Sequence, residues 1–170
     1  AKRLLEHFRA MPTAPEIELV LSRTAEQVWA HECGGNPRSL GFPVYEGRDY
    51  AAPFASGSAR YDAMLVLPAS MSSIARIAHG MSDDLLTRAA DVMLKERRSL
   101  IVVPRETPLS LVHLENLTQL ARLGALVVPA MPAFYIKPET LADAIDTVVG
   151  RVLDHLGVDH DLVKRWGTRS

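Results

Sequence analysis

The stretch RAADVMLKERRSLIVVPRETPLS, residues 88–110, decides the fold class of this chain. Its first half has the pattern of a charged amphipathic helix, which leads into the wholly apolar strand SLIVVP (99–104). A strand without polar alternation is covered on both faces, as in a parallel α/β sheet. Ligands bind such sheets beyond the carboxyl ends of the strands, where Arg105 and Glu106 follow this one. We therefore predict a parallel α/β fold with a binding site at Arg105 and Glu106.

Short apolar runs alternate with helical patterns along the rest of the chain. We predict strands at 17–22, 42–46, 63–68, 99–104 and 125–129. We predict helices at 24–32, 83–97, 109–123 and 138–156, and a first helix with Leu4, Leu5 and Phe8 on its apolar face. This alternation is typical of βαβ units and predicts a three-layer α/β fold, a doubly wound parallel sheet, as a single domain over residues 1–170.

The chain opens on an amphipathic helix and not on a strand. In a doubly wound fold, the first helix normally follows a strand and a glycine-rich turn. Neither precedes this helix, and the sequence does not begin with Met. We expect that the sequence begins inside the first βα unit.

The composition indicates a chain with an ample core and almost no net charge. Hydrophobic residues make up 48% of the 170 residues, and the formal net charge is −1. This balance argues against nucleic acid or a polybasic membrane surface as the main partner. The longest apolar run, 125–136, contains two prolines and is shorter than the about 20 residues that a membrane helix needs.

The cysteine and the histidines do not indicate a metal site. The single cysteine, Cys33, cannot form an internal disulfide and fits a reducing cytoplasm; it is either an idle thiol or a nucleophile. One thiol cannot build a cysteine-based zinc site, and the six histidines lack the spacing of metal ligands. We expect no bound metal. The pair His31-Glu32 suggests an acid/base function only.

Serines follow two of the predicted strands. Ser22 closes the first, and Ser70 and Ser73 come directly after the strand at 63–68. Serine at the start of a helix can cap it through its hydroxyl oxygen. It can also complete an anion site together with the exposed N–H groups of the first turn. For the serines that follow the strand at 63–68, both interpretations stay open at this point.

The helix before the central strand carries Arg88, Asp91 and Lys95 at spacings of three and four residues, which place them on one face. One reading is a solvated ladder of ion pairs, which contributes little to stability. The other follows from the strand that ends in Arg105 and Glu106. Together, these charged groups indicate an anionic substrate such as a phosphate.

The segments RAADVMLKERR, LIVVPRETPL, HLENLTQLARLGA and PAMPAFYIKP resemble the UbiX-type flavin prenyltransferases, and the likeness covers essentially the whole chain. The resemblance implies a flavodoxin-like or Rossmann-like fold that binds FMN and assembles as a homododecamer. It implies metal-independent transfer of dimethylallyl from dimethylallyl phosphate to reduced FMN. The product, prenylated FMN, is the cofactor of UbiD-type decarboxylases. The glycine-rich turn that opens the family's first βα unit is not found in this sequence.

The resemblance also implies roles for individual residues. The FMN would be bound by Ser22, Ser70, Ser73 and Arg88. The phosphate of the donor would be held, and its leaving charge stabilised, by Lys95, Arg105, Tyr135 and Arg151. Proton transfer would involve Glu106 and Glu32. The prenyl group would meet the ring of Tyr50, and the site would be closed by Trp166.

Two other functions stay open for this sequence. One is an FMN-dependent cysteine decarboxylase of the same superfamily, although PAMPAFY lacks the Asn of that group's substrate clamp. The other is a non-catalytic flavin carrier or accessory subunit of an aromatic acid decarboxylase. The presence of Lys95, Arg105, Glu106 and Tyr135 argues against a site without activity.

Overall fold

The computed structural model of the chain describes residues 1–163, except for the side chain of Arg23. The strands in this part are β1 (Leu19–Leu21), β2 (Val44–Glu46), β3 (Ala63–Ala69), β4 (Ser99–Pro104) and β5 (Leu126–Val127). The helices are α1 (Lys2–Ala10), α2 (Arg23–Glu32), α3 (Met71–Ala78), α4 (Leu85–Lys95), α5 (Leu111–Arg122) and α6 (Leu141–Leu156). Within these residues, no helix combines the length and the apolar character that crossing a membrane requires.

The strands pair in parallel, as the alternating pattern predicts. β4 lies between β3 and β5, and β1 pairs with β2. The parallel α/β prediction is therefore confirmed, with one difference. In the described residues the strands form a group of three and a group of two, and no hydrogen-bonded pairing joins the groups.

β4 is the centre of the core. Leu100, Ile101, Val102 and Val103 are each at most 1% exposed. Because side chains alternate along a strand, Leu100 and Val102 pack with α3, α4 and α5, while Ile101 and Val103 pack with α1 and α6. The absence of polar alternation in SLIVV thus corresponds to helices on both faces. Each such side chain stabilises the fold by about 1.5–3 kcal/mol relative to exposure.

Side-chain caps explain why three helices begin later than the pattern predicts. Asp84, Ser110 and Thr140 each accept a hydrogen bond from the backbone N–H three residues later, and each forms a reciprocal capping box. Since a capping residue has a non-helical backbone, the helices start only at the next residue. The prediction from the sequence placed these starts two to three residues too early.

A carboxylate joins the two groups of strands at their amino ends. Glu18, just before β1, accepts hydrogen bonds from the hydroxyls of Tyr45 in β2 (3.1 Å) and Tyr61 before β3 (2.5 Å). The ring of Phe54 makes edge contacts with both tyrosines, at centroid distances of 5.1 and 5.6 Å. We call these four residues the Glu18 clamp. It connects the groups where backbone pairing does not.

Replacing Tyr61 by Phe removes one hydrogen bond of the Glu18 clamp and keeps the ring against Phe54. We expect the free energy of unfolding to fall by about 1.5–3 kcal/mol near neutral pH, because the acceptor is a carboxylate. Denaturant unfolding followed by circular dichroism measures this change. The exposed Tyr50 provides a matched control, since Tyr50→Phe should leave the unfolding free energy unchanged.

The Glu18 clamp should also make stability depend on alkaline pH. Burial, followed by the hydrogen bond to Glu18, raises the pKa of Tyr61 well above its ordinary value. The folded state therefore favours the neutral phenol, and this stabilisation is complete below the unfolded pKa of about 10 and is lost as the pH rises further. Wild-type protein should lose stability above about pH 10 more steeply than Tyr61→Phe. Identical pH profiles for the two proteins would contradict this assignment.

Candidate active site

The carboxyl ends of β3, β4 and β5 bring candidate residues to one edge of the sheet. Ser70 follows β3, Arg105 and Glu106 follow β4, and the segment that contains Tyr135 follows β5. The strands are parallel and adjacent, so these positions share an edge. The backbone N–H of Ala130 donates to the carbonyl of Pro104 over 3.0 Å and holds the last segment to the end of β4. This is the edge at which the sequence predicts a site.

The serines at this side of the fold are helix caps. The Oγ atom of Ser22 accepts from the N–H of Ala25 (3.0 Å), and that of Ser70 accepts from the N–H of Ser73 (3.1 Å). The hydroxyl of Ser70 also donates to Oγ of Ser73 over 3.0 Å. Of the two readings of the serines after β3, capping is therefore confirmed for Ser70, and Ser22 caps α2 in the same way. The hydroxyl oxygens of Ser22 and Ser73 act only as acceptors in these hydrogen bonds. Both hydroxyls can therefore still donate a hydrogen bond beside the positive ends of α2 and α3.

Arg105 and Glu106 are adjacent in sequence but do not pair with each other. Both side chains are exposed. Oε1 of Glu106 accepts from the backbone N–H of Thr107 over 3.1 Å. Among the residues that the structure describes, Arg105 has no ion-pair partner. Its guanidinium group therefore has its donors available for an anion at the carboxyl end of β4.

The cations of α4 face a neighbouring loop and do not form a continuous ladder. Arg88 pairs with Asp91 (3.2 Å) and donates from Nε to the carbonyl of Ala55 over 3.0 Å. Lys95 pairs with Glu96, not with Asp91. The expected ion pair with Asp91 is thus present for Arg88 but not for Lys95. The ammonium of Lys95 instead meets the carboxylate of Glu96, the residue that follows α4.

Gly57 is a residue of this region that the sequence reading missed. A Cβ atom at this position would lie 2.7 Å from Nζ of Lys95 and would also collide with the carboxylate of Glu96. The lack of a side chain therefore lets Lys95 approach the backbone of the loop. The only signal in the sequence is the SGS triplet at 56–58, which predicts a turn and nothing more specific.

Lys95 and Arg105 lie at opposite ends of β4. Lys95 ends the helix before the strand, and Arg105 comes directly after it. A strand of six residues spans about 17 Å. Nζ of Lys95 points to Glu96 and Gly57 at the amino end. One chain does not bring Lys95 and Arg105 together.

The remaining predicted residues are spread over the surface. Glu32 is the last residue of α2, about 15 Å along the helix from the cap Ser22. Arg151 lies on the outer side of α6, is 64% exposed and pairs with Asp154 at 3.4 Å. Tyr50 and Tyr135 are 50% and 72% exposed. The predicted closing residue, Trp166, lies outside the described residues.

Large apolar side chains surround the carboxyl edge on the β5 side. They come from the segment before α5, the start of α5, the segment after β5 and the start of α6. This apolar face consists of Leu109, Leu111, Val112, Leu114, Met131, Phe134, Tyr135, Ile136, Leu141 and Ile145. Five of them, Leu111, Met131, Phe134, Tyr135 and Leu141, are at least 70% exposed. Exposed apolar patches of this kind mark interaction surfaces.

The fold and the site define a protein of the Flavoprotein family, whose sequence pattern matches residues 1–156. The flavin prenyltransferase UbiX of Methanocaldococcus jannaschii is 46% identical over 171 residues, which cover 99% of this chain and 91% of that protein. The chain therefore belongs to the UbiX flavin prenyltransferase family. The resemblance noted in the sequence is confirmed.

Two crystal structures have nearly the same fold. One is a dodecameric FMN-dependent UbiX-like decarboxylase from Escherichia coli O157:H7, which is 45% identical with a TM-score of 0.91 and coverage of 97% of this chain and 90% of that one. The other is AnUbiX (PadA1) in complex with FMN and dimethylallyl pyrophosphate, which is 44% identical with a TM-score of 0.91 and coverage of 99% and 90%. They confirm the flavodoxin-like α/β architecture.

Proposed function

We propose that the protein transfers a dimethylallyl group from dimethylallyl phosphate to reduced FMN and so makes prenylated FMN. The observation that carries the proposal is the arrangement of Arg105 and Glu106. An exposed guanidinium without an ion-pair partner among the described residues stands next to an exposed carboxylate at the ligand-binding edge of the sheet. One group can hold a phosphate, and the other can move a proton. Membership of the flavin prenyltransferase family supports the same reaction.

The residues at the carboxyl edge fit FMN. The Ser22 and Ser73 hydroxyls can donate, and the amino ends of α2 and α3 attract negative charge. Arg88 uses Nε and Nη1 within the chain, which leaves Nη2 as a further donor toward a flavin. Reduced FMN supplies the nucleophilic ring atoms that accept the prenyl group. Ser22, Ser70, Ser73 and Arg88 would hold and orient it.

The chemistry of the prenyl donor explains why several cationic side chains are proposed for the site. When the C–O bond of dimethylallyl phosphate breaks, the phosphate leaves with the bonding electron pair and gains negative charge. Lys95, Arg105 and Arg151, with the hydroxyl of Tyr135, would stabilise that charge in place of a metal. No cluster of three or more His, Cys, Asp or Glu able to hold a metal ion occurs among residues 1–163. The ring of Tyr50 would stabilise cationic character on the prenyl group, and Trp166 would close the site.

Glu106 would carry the proton. Its carboxylate accepts only the backbone N–H of Thr107 among the described residues, so other lone pairs remain available. As the prenyl group joins the ring, the proton that is released needs a base, and the leaving phosphate needs an acid. Glu106 would pass the proton between them, with Glu32 as a second acidic group.

Two copies of the chain would complete the site. Lys95 stands at the amino end of β4, and Arg105 stands at the carboxyl end, about 17 Å away along the strand. If both bind one phosphate, Lys95 must come from a neighbouring copy. The apolar face gives each chain a surface for this association, and the UbiX-like relative from Escherichia coli O157:H7 is a dodecamer. We propose a homododecamer here as well.

The product defines the class of partner. Prenylated FMN is a modified cofactor and not an end product, so an enzyme that uses it must receive it. We propose a UbiD-type decarboxylase as the recipient. A cysteine decarboxylase and a flavin carrier are disfavoured as functions of this chain, because the closely similar curated relatives are flavin prenyltransferases.

Anaerobic incubation of the protein with reduced FMN and dimethylallyl phosphate tests the reaction. Mass spectrometry of the released flavin should show the gain of one prenyl unit. Glu106→Gln keeps the shape of the side chain but cannot exchange the proton as an acid, and we expect turnover to fall by about 100-fold or more. An unchanged flavin mass with wild-type protein would contradict the proposed function. Full turnover by Glu106→Gln would contradict the role of Glu106.

Mixing two inactive variants tests whether the site is shared. Lys95→Ala and Arg105→Ala each remove one cation from every site of a pure oligomer, and we expect each to be nearly inactive. In a mixed oligomer, formed by dissociation and reassociation, some sites take Lys95 from one chain and Arg105 from another. Activity should therefore reappear on mixing. If the mixture stays as inactive as the two pure variants, Lys95 and Arg105 act within one chain.

Charge on the apolar face should prevent assembly without unfolding the chain. Leu141 is the first residue of α6 and is 79% exposed. Glutamate is favourable in a first helical turn, so Leu141→Glu should fold. Light scattering should show smaller particles for Leu141→Glu and the wild-type size for the control Leu141→Met. Wild-type size for both variants would contradict a role of this face in assembly.

A further inference from the structure

The turn after α4 directs Arg98 toward a neighbouring loop. Arg97 has a left-handed backbone (φ +55°), a conformation that reverses the chain at the end of a helix. The N–H of Arg97 donates to the carbonyl of Leu94 (3.1 Å), and that of Arg98 donates to the carbonyl of Met93 (2.8 Å). These bonds close the helix. The Arg97 side chain is exposed, whereas that of Arg98 is partly buried.

Arg98 holds the loop at residues 55–59 by its backbone. Its Nη1 atom donates to the carbonyl of Ala59, and Nη2 donates to the carbonyl of Gly57 over 2.8 Å. Nε of Arg88 donates to the carbonyl of Ala55 over 3.0 Å. Two guanidinium groups thus bind three alternate carbonyls. The guanidinium group of Arg98 can bind two carbonyls at once because its N–H donors are fixed in one plane. The single ammonium of a lysine cannot provide two donors in this geometry.

The position of this loop determines where the Lys95 ammonium can stand. Gly57, whose carbonyl is bound by Arg98, is the residue against which Nζ of Lys95 lies. The hydroxyls of Ser56 and Ser58 are hydrogen-bonded to each other over 2.9 Å on either side of it. Releasing Gly57 from Arg98 would allow the loop to move into the space that Lys95 occupies, or away from it.

We propose that Arg98 is a positioning residue for the donor's phosphate: it fixes Gly57 and thereby fixes the Lys95 ammonium. The proposal rests on the proposed function, in which Lys95 binds that phosphate. Arg98 itself does not touch the substrate. Its effect should therefore be on dimethylallyl phosphate, both on its binding and on the breaking of its C–O bond, and not on the binding of FMN.

Steady-state kinetics of Arg98→Lys under anaerobic conditions test this. The KM for dimethylallyl phosphate should rise about tenfold, because a lysine cannot bind both carbonyls. The kcat should fall as well, because Lys95 stabilises the charge on the leaving phosphate, whereas the Kd for FMN should stay within about twofold of wild type. Arg97→Lys is the matched control, with the same chemical change at the adjacent exposed position, and should leave all three constants unchanged.

A second variant tests the position of the Lys95 ammonium without altering Arg98. Gly57→Ala places a methyl group 2.7 Å from the present position of Nζ of Lys95. The ammonium must then move, so the same KM should rise even if Arg98→Lys fails to fold. A lower melting temperature of Arg98→Lys with an unchanged KM would overturn the positioning role and leave a structural one. Absence of prenylated FMN with wild-type protein would instead overturn the proposed function, and this inference with it.

Discussion

The four central side chains of β4 are excluded from water on both faces of the sheet, and the arrangement of the candidate site depends on this exclusion. Leu100 and Val102 are covered by α3, α4 and α5, while Ile101 and Val103 are covered by α1 and α6. A strand buried in this way cannot slip by one residue without moving every side chain to the opposite face. Its ends are therefore fixed points. Charged residues can be held at both ends at a constant separation, which a surface loop would not ensure.

Much of the fold can be predicted from the sequence because the signals are local. Runs such as SLIVVP are short, continuous and apolar, and they identify buried strands without knowledge of the partners. The prediction of helix starts fails by a few residues at Asp84, Ser110 and Thr140, where the cap and not the apolar period decides the boundary. The division of the strands into two groups, and the Glu18 clamp between them, depend on contacts between distant residues. No local pattern records such contacts.

The residues of the candidate site also differ in whether a local sequence signal identifies them. Arg105 and Glu106 can be found because their strand ends beside them, and the position of a strand end is a local property. Gly57 and Arg98 cannot be found in this way, since their meeting depends on a loop about 40 residues earlier in the chain returning to the end of α4. A glycine in a serine-rich turn and an arginine in a charged run have ordinary explanations when read singly. Only the hydrogen bond between them indicates a common role.

The apolar face has a consequence for the energetics of the whole chain. Side chains such as Met131, Phe134 and Leu141 are 70–79% exposed in a single copy, and this contact with water opposes the stability that the core provides. When copies associate, the same side chains leave water and the association free energy is added to that of folding. Folding and assembly then become one linked equilibrium, and the melting temperature should rise with protein concentration. The surface that could complete the site would also set how dilute the protein can be before it unfolds.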